Sequence, residues 1–217
     1  MMAFGRRPLG GLEYSHNAMS LPPFSHCTGP LPLEIGMDLV LEHFDYNDSS
    51  KNILLCLDAD CTVQNNYITE IHKCFKEEKC SAAYVQFEHT LTADDENNLA
   101  IICYEIFLRY YVLGLEIAAS PYAFHTIGST MACDVESYVN VQGMNKKKAA
   151  EDFYFMEKLS KNVKIQKISN AKVYPSSRGS WRVPFGTGRS VTRYLSKQQN
   201  EYLLYSPKRC QFPPGSH

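Results

Sequence analysis

Read from its amino end, the chain shows neither an alternating nor a helical period of apolar residues before Leu33. Residues 1–32, rich in Gly, Pro, Ser and His, are therefore expected to be irregular. From there, Leu33, Ile35, Met37, Leu39, Val40, Leu41 and Phe44 suit a short helix, and the polar stretch 45–52 reads as a loop. Residues 53–57 are apolar throughout, as expected of a central strand covered on both faces. The pattern then turns helical. Tyr67, Ile68, Ile71 and Phe75 share one face, with Glu70, Lys73, Lys76 and Glu77 opposite. Residues 82–88 predict the next strand, 95–119 a long and mostly buried helix, and 124–133 a strand interrupted at Gly128-Ser129. A helix over about 150–161 should turn Phe153, Met156 and Leu159 inward, and 163–168 and 172–174 read as two short closing strands. The segment from Pro175 is a Gly-, Ser- and Arg-rich tail, with a frayed end at Pro213-Pro214-Gly215. Strands alternating with helices predict an α/β domain without internal repeats.

With 217 residues, 44% of them hydrophobic, the chain can bury the core of a single globular unit. Its 22 basic and 23 acidic residues leave a net charge of -1, so nucleic acid is not an expected partner and any anion site must be local. The eight cysteines include no C-x-x-C pair and several sit in apolar runs, which points to buried thiols in a cytoplasmic protein rather than disulfides or zinc ligands. The longest apolar stretch, 99–119, is broken by Glu105, Arg109 and Glu116, so no transmembrane segment is expected. Arg6 and Arg7 lead into Pro8 and glycines rather than the apolar core of a signal peptide.

The chemistry concentrates at Asp58-Ala59-Asp60, directly after the apolar run 53–57. Ligands of open α/β sheets bind beyond the carboxyl ends of strands. Two carboxylates one residue apart can present oxygens to a hard divalent cation that bridges phosphates. An acidic turn capping the next helix, through Asp60 or Thr62, is the bland alternative. The run 58–63 also resembles the D-x-D-x-T nucleophile motif of haloacid-dehalogenase-type phosphatases, but the later acidic pair and lysine such an enzyme needs are not evident. Glu151-Asp152 opens a helix, where acidic first turns are common. The helix terminus should lower a carboxylate pKa there and the neighbouring carboxylate raise it, which leaves the sign open. Downstream, Arg178, Arg182 and Arg189 crowd among glycines around Trp181, a composition suited to phosphate oxygens.

In order, Ile35-Gly36-Met37-Asp38, the strand with Asp58-Ala59-Asp60, the Gly128-Ser129 strand, the Gly143-Met144-Asn145 turn and Glu151-Asp152 resemble the family 2 glycosyltransferases. The resemblance covers about residues 33–195. It implies a GT-A-like mixed central sheet flanked by helices, with 1–32 and 196–217 outside the catalytic domain. The implied reaction is metal-dependent, inverting transfer of a sugar from a nucleotide-diphosphate sugar to an acceptor hydroxyl. Asp58 would lie near the ribose and the metal, and Asp60 would hold Mn2+ or Mg2+. Asp152 would be the general base, with Glu151 beside it. Gly128 and Ser129 would border donor and acceptor, while Arg178, Trp181, Arg182 and Arg189 would close over the diphosphate. Members begin with a βαβ segment that grips the nucleotide base, and no such strand is evident before Leu33. The Rossmann-like nucleotide-binding half is therefore expected to be incomplete, as in a truncated or N-terminally replaced member. A non-catalytic remnant is the alternative expectation.

Overall fold

In the computed structural model, which describes residues 2–4, 33–47, 52–144, 150–180, 186–197, 202 and 204, the apolar run after the first loop forms strand β2 (Ile53–Leu55). Its alternating side chains feed two cores, as the period of a strand requires. Leu54 packs with Met37 and Val40 of α1 (Leu33–Leu41), Tyr138 of α4 (Val135–Asn140) and Phe155, Met156 and Leu159 of α5 (Glu151–Ser160). Leu55 faces the other way, onto Tyr67, Ile71 and Phe75 of α2 (Tyr67–Lys76). Phe155, Met156 and Leu159 are almost wholly buried, and each contributes roughly 2–3 kcal/mol through area removed from water.

The remaining strands are β1 (Met2–Phe4), β3 (Thr62–Val63), β4 (Ala82–Phe87), β5 (Met131–Asp134) and β6 (Ile165–Tyr174), in the sheet order β1-β2-β5-β4-β6-β3. β4 and β6 run parallel, and the other neighbours run antiparallel. The fold is thus mixed α/β, with helices packed on the sheet. The long helix α3 (Asp95–Ile117) starts at Asp94, whose carboxylate accepts from the main-chain N–H groups of Glu96 and Asn97 at 3.0 and 3.2 Å. A third cluster, Ala100, Ile101, Tyr104 and Val191, joins α3 to α6 (Thr187–Leu195).

Several expectations are corrected. Residues 2–4, read as irregular, pair antiparallel with β2, so a strand does stand beside it. Residues 124–127 are not strand. Gly128–Thr130 is a 3₁₀ turn, and β5 begins only at Met131. The two closing strands are one, β6, with a register irregularity opposite Val85 and Gln86 that absorbs the polar Ser169-Asn170. Phe153 is 42% exposed, and Phe155 takes the inward place because, four residues before Leu159, it shares that residue's face of the helix. The tail after Pro175 contains α6, since Val191 and Tyr194 pack on α3 and outweigh the local Gly and Ser content.

The described cysteines, Cys56, Cys61, Cys74, Cys80, Cys103 and Cys133, are free, while Cys27 and Cys210 lie outside the described residues. Burial pushes the Cys56 thiol up to about 12, so it packs as a small apolar group. No helix among the described residues is long and apolar enough to cross a membrane.

Candidate functional site

The antiparallel pairing of β2 with β5, Leu55 opposite Ala132, sets the end of one strand beside the start of the other. The main-chain N–H of Cys56 still donates to the Met131 carbonyl at 3.1 Å, after which the two segments separate. Asp58 and Asp60 are exposed just beyond this point, and the 3₁₀ turn Gly128–Thr130 lies next to them. The Ser129 hydroxyl donates to Asp58 Oδ2 at 2.5 Å. That bond fixes one carboxylate while leaving its other oxygen available.

Asp152 enters from the first turn of α5. A Cβ added to Gly128 would stand 3.6 Å from Asp152 Oδ2, ordinary van der Waals contact, which places this carboxyl against the turn. Phe153 N–H donates to Asp152 Oδ1 at 2.7 Å. The sign left open by the sequence is now decided. Burial, with the charges of Glu151 and Asp58 adding to it, outweighs the main-chain hydrogen bonds and raises the Asp152 carboxyl to about 6. Glu151 is half-buried beside it.

Arg178 approaches from the segment after β6, and its Nη2 lies 2.8 Å from Asp60 Oδ2. Both side chains are largely exposed, so the pair orients the guanidinium more than it stabilises the fold. The segment is nevertheless well held. Asn97 of α3 donates to the Ser177 carbonyl at 3.3 Å, and Ser180 N–H donates to the Gly188 carbonyl at 2.9 Å. A Cβ on Gly188 would stand 2.6 Å from Ser180 Cβ and 3.0 Å from Ser180 N, so the two backbones meet where no side chain fits. Gly188→Ala is expected to cost about 1–3 kcal/mol in stability, read as a lower denaturation midpoint with an unchanged slope. An unaltered midpoint would show that the segment yields freely.

Comparison of this chain with protein-family models, curated proteins and solved structures returns no match. The chemistry of the site therefore rests on its own residues.

Asp58, Asp60 and Cys61 bring one ligand atom each within 4.8 Å of one another. Two exposed carboxylates on one turn fit a hard divalent cation such as Mn2+ or Mg2+. The Cys61 thiol fits less well, because burial, with the charges of Asp58 and Asp60, raises its pKa and keeps it protonated.

Of the residues singled out from sequence, Asp58, Asp60, Gly128, Ser129, Asp152 and Arg178 come together, with Glu151 adjoining. Arg189 is half-buried in α6, and Trp181 and Arg182 lie outside the described residues. Asp38 serves a structural purpose, accepting from the Tyr138 hydroxyl at 2.7 Å. Gly143 follows α4 with φ +69, the left-handed conformation that glycine adopts without strain. Leu108, Tyr111, Tyr122, Phe124 and Phe153 line an open apolar groove that also reaches Thr126, two residues from Gly128.

The sequence reading missed His89, Glu105 and Thr187, which are joined by hydrogen bonds, with the Tyr104 ring edge-on to His89. Only the isolated His89 after a strand could have pointed to them.

Proposed function

We propose that this chain transfers a sugar from a nucleotide-diphosphate sugar to an acceptor hydroxyl, with inversion at the anomeric carbon. The observation that carries this reading is Asp152, a half-buried carboxyl raised to about 6, near enough to the strand-end pair for Asp58 to contribute to that shift. A general base works best with a pKa near the working pH, and a purely structural carboxylate at a helix start would sit lower. Asp58 and Asp60 would hold a divalent cation, which when bound would supply Lewis-acid stabilisation of the departing diphosphate. Arg178 adds positive charge to the same side. Ionised Asp152 accepts the proton of the acceptor hydroxyl. The freed oxygen attacks the anomeric carbon from the face opposite the leaving group, and the bond to the nucleoside diphosphate breaks. The groove past Phe153, which reaches Thr126, gives the acceptor an approach.

Incubation with a panel of nucleotide sugars and Mn2+ should release nucleoside diphosphate, and mixed hydroxyl acceptors should increase that release. No release with any donor would refute the transferase reading. One observation favours a second reading, a domain that binds but does not transfer. Among the described residues the strand on the edge of β2 is the three-residue β1, antiparallel to it, where the resemblance implies the first strand of a base-gripping βαβ segment. Calorimetry separates the two. Tight uridine or guanosine diphosphate binding with Mn2+, without turnover, selects binding alone.

A further inference from the structure

His89 follows β4, has no exposed side-chain surface, and lies apart from the strand-end carboxylates. Its main-chain N–H donates to Glu105 Oε1 at 2.6 Å, and its Nδ1 meets the same oxygen at 2.8 Å. Hydrogen bonds from His89 and the charge of Arg109 lower the Glu105 pKa against its burial, so this carboxylate is ionised and Nδ1 is the donor. That leaves Nε2 to face Thr187 Oγ1 at 3.0 Å. Thr187 is the first residue of α6, and Tyr104 of α3 packs with Val191 one turn further along that helix. The start of α6 is thereby tied at that hydroxyl to the end of β4, while apolar packing holds it on α3.

From Thr187 the connection continues through backbone. The next residue, Gly188, takes the Ser180 N–H and touches Ser180 too closely for a side chain to intervene. Gly179 lies equally close to α6, where an added Cβ would stand 2.8 Å from Thr192 Oγ1. Arg178 precedes these two contacts and reaches Asp60. A long flexible arginine on an exposed segment loses much side-chain entropy when it holds one position, so it acts at a defined point only where its backbone is fixed.

We infer that His89 and Thr187 are positioning residues that fix the start of α6 and, through the Gly188–Ser180 contact, aim Arg178 at the diphosphate side of the site. This rests on the reading of that side as a metal-diphosphate site. It adds a specific division of labour, in which Asp58 and Asp60 hold the cation while the buried histidine network determines whether Arg178 can serve the anion.

The probe is methylenediphosphonate with Mn2+, a diphosphate analogue without base or sugar, titrated calorimetrically into the full chain. Thr187→Val removes the hydroxyl with little change of shape and should weaken binding about fivefold, the effect of one lost hydrogen bond. Thr187→Ser should restore it. In an Arg178→Ala background, Thr187→Val should change binding less than twofold, because the residue through which it acts is gone. Equal weakening in both backgrounds, or none in either, overturns the inference. So does a fall in melting temperature for Thr187→Val with binding unaltered. Failure of the unaltered chain to bind the probe refutes the diphosphate reading itself, an outcome distinct from the others. If Thr187→Val does not fold, His89→Gln, which keeps a polar side chain in the same cavity, is compared across the same two backgrounds with the same expected pattern.

Discussion

Asp152→Asn should lower acceptor-dependent nucleoside diphosphate release by about 10²- to 10⁴-fold and, at pH 7, raise the stability of the fold. Both effects have one cause. Burial and the neighbouring charges of Glu151 and Asp58 lift the folded-state pKa to about 6, above the carboxyl's ordinary 3.8. For a group raised in this way, the favourable contribution is complete below the unfolded value and is lost as pH rises through the folded one. At pH 7 the wild type therefore carries an ionised carboxylate in a place that disfavours it, at a cost of about 1–3 kcal/mol. Asparagine carries no such cost, so its melting temperature should exceed that of the wild type at pH 7 and match it below about pH 4. Wild-type kcat/KM should rise tenfold per pH unit up to about 6 and then level off. Coincident melting curves at pH 7 would put the Asp152 charge in water and remove the physical basis for a poised base.

A second large effect is expected at Asp60, with a contrast of sign at Arg178. Asp60→Asn removes one of two carboxylates from the candidate cation site and should weaken Mn2+ binding by about 10- to 100-fold. Arg178→Ala should act in the opposite direction on the metal alone. The guanidinium 2.8 Å from Asp60 Oδ2 competes with a cation for that carboxylate, so removing it should tighten Mn2+ binding a few-fold. With a diphosphate present the same variant should bind more weakly, because the anion loses its arginine. Titrations of Mn2+ with and without diphosphate test the pair. Tightening of both, or weakening of both, would mean that Arg178 does not divide its time between carboxylate and anion.

Long periodic elements were legible in the sequence. Residues 67–76 bury Tyr67, Ile71 and Phe75 as their spacing predicts, and 82–87 and 95–117 fall where the apolar pattern places them, although α3, expected to be mostly buried, leaves Leu99, Ile106, Leu113 and Ile117 exposed because only one of its faces packs on the fold. Short elements were not. Three residues at 2–4 and six at 135–140 give no usable period, although Asp134, accepting from Ser137 N–H at 2.8 Å, is a cap that could have announced α4. α6 was hidden because its single buried residue, Val191, lies in a setting of Gly, Ser and Arg. At the site, Asp58, Asp60 and Asp152 could be read because each adjoins an element boundary. Their mutual geometry could not, since the pairing of β2 with β5 brings Ser129 to Asp58 across 71 positions of sequence. The sign of the Asp152 shift required burial, which no local pattern reveals.

The sheet order also governs how the chain can come together. β2 and β4 are formed early in the sequence, yet they do not pair with each other, because β5 lies between them and bonds to both. Until residues 131–134 are available, each presents an open hydrogen-bonding edge on apolar backbone. β6, which covers the far side of β4, arrives later still. Closure thus depends on one four-residue segment inserting between strands made long before it, an arrangement that favours slow folding and exposes the nascent chain to aggregation in the interval.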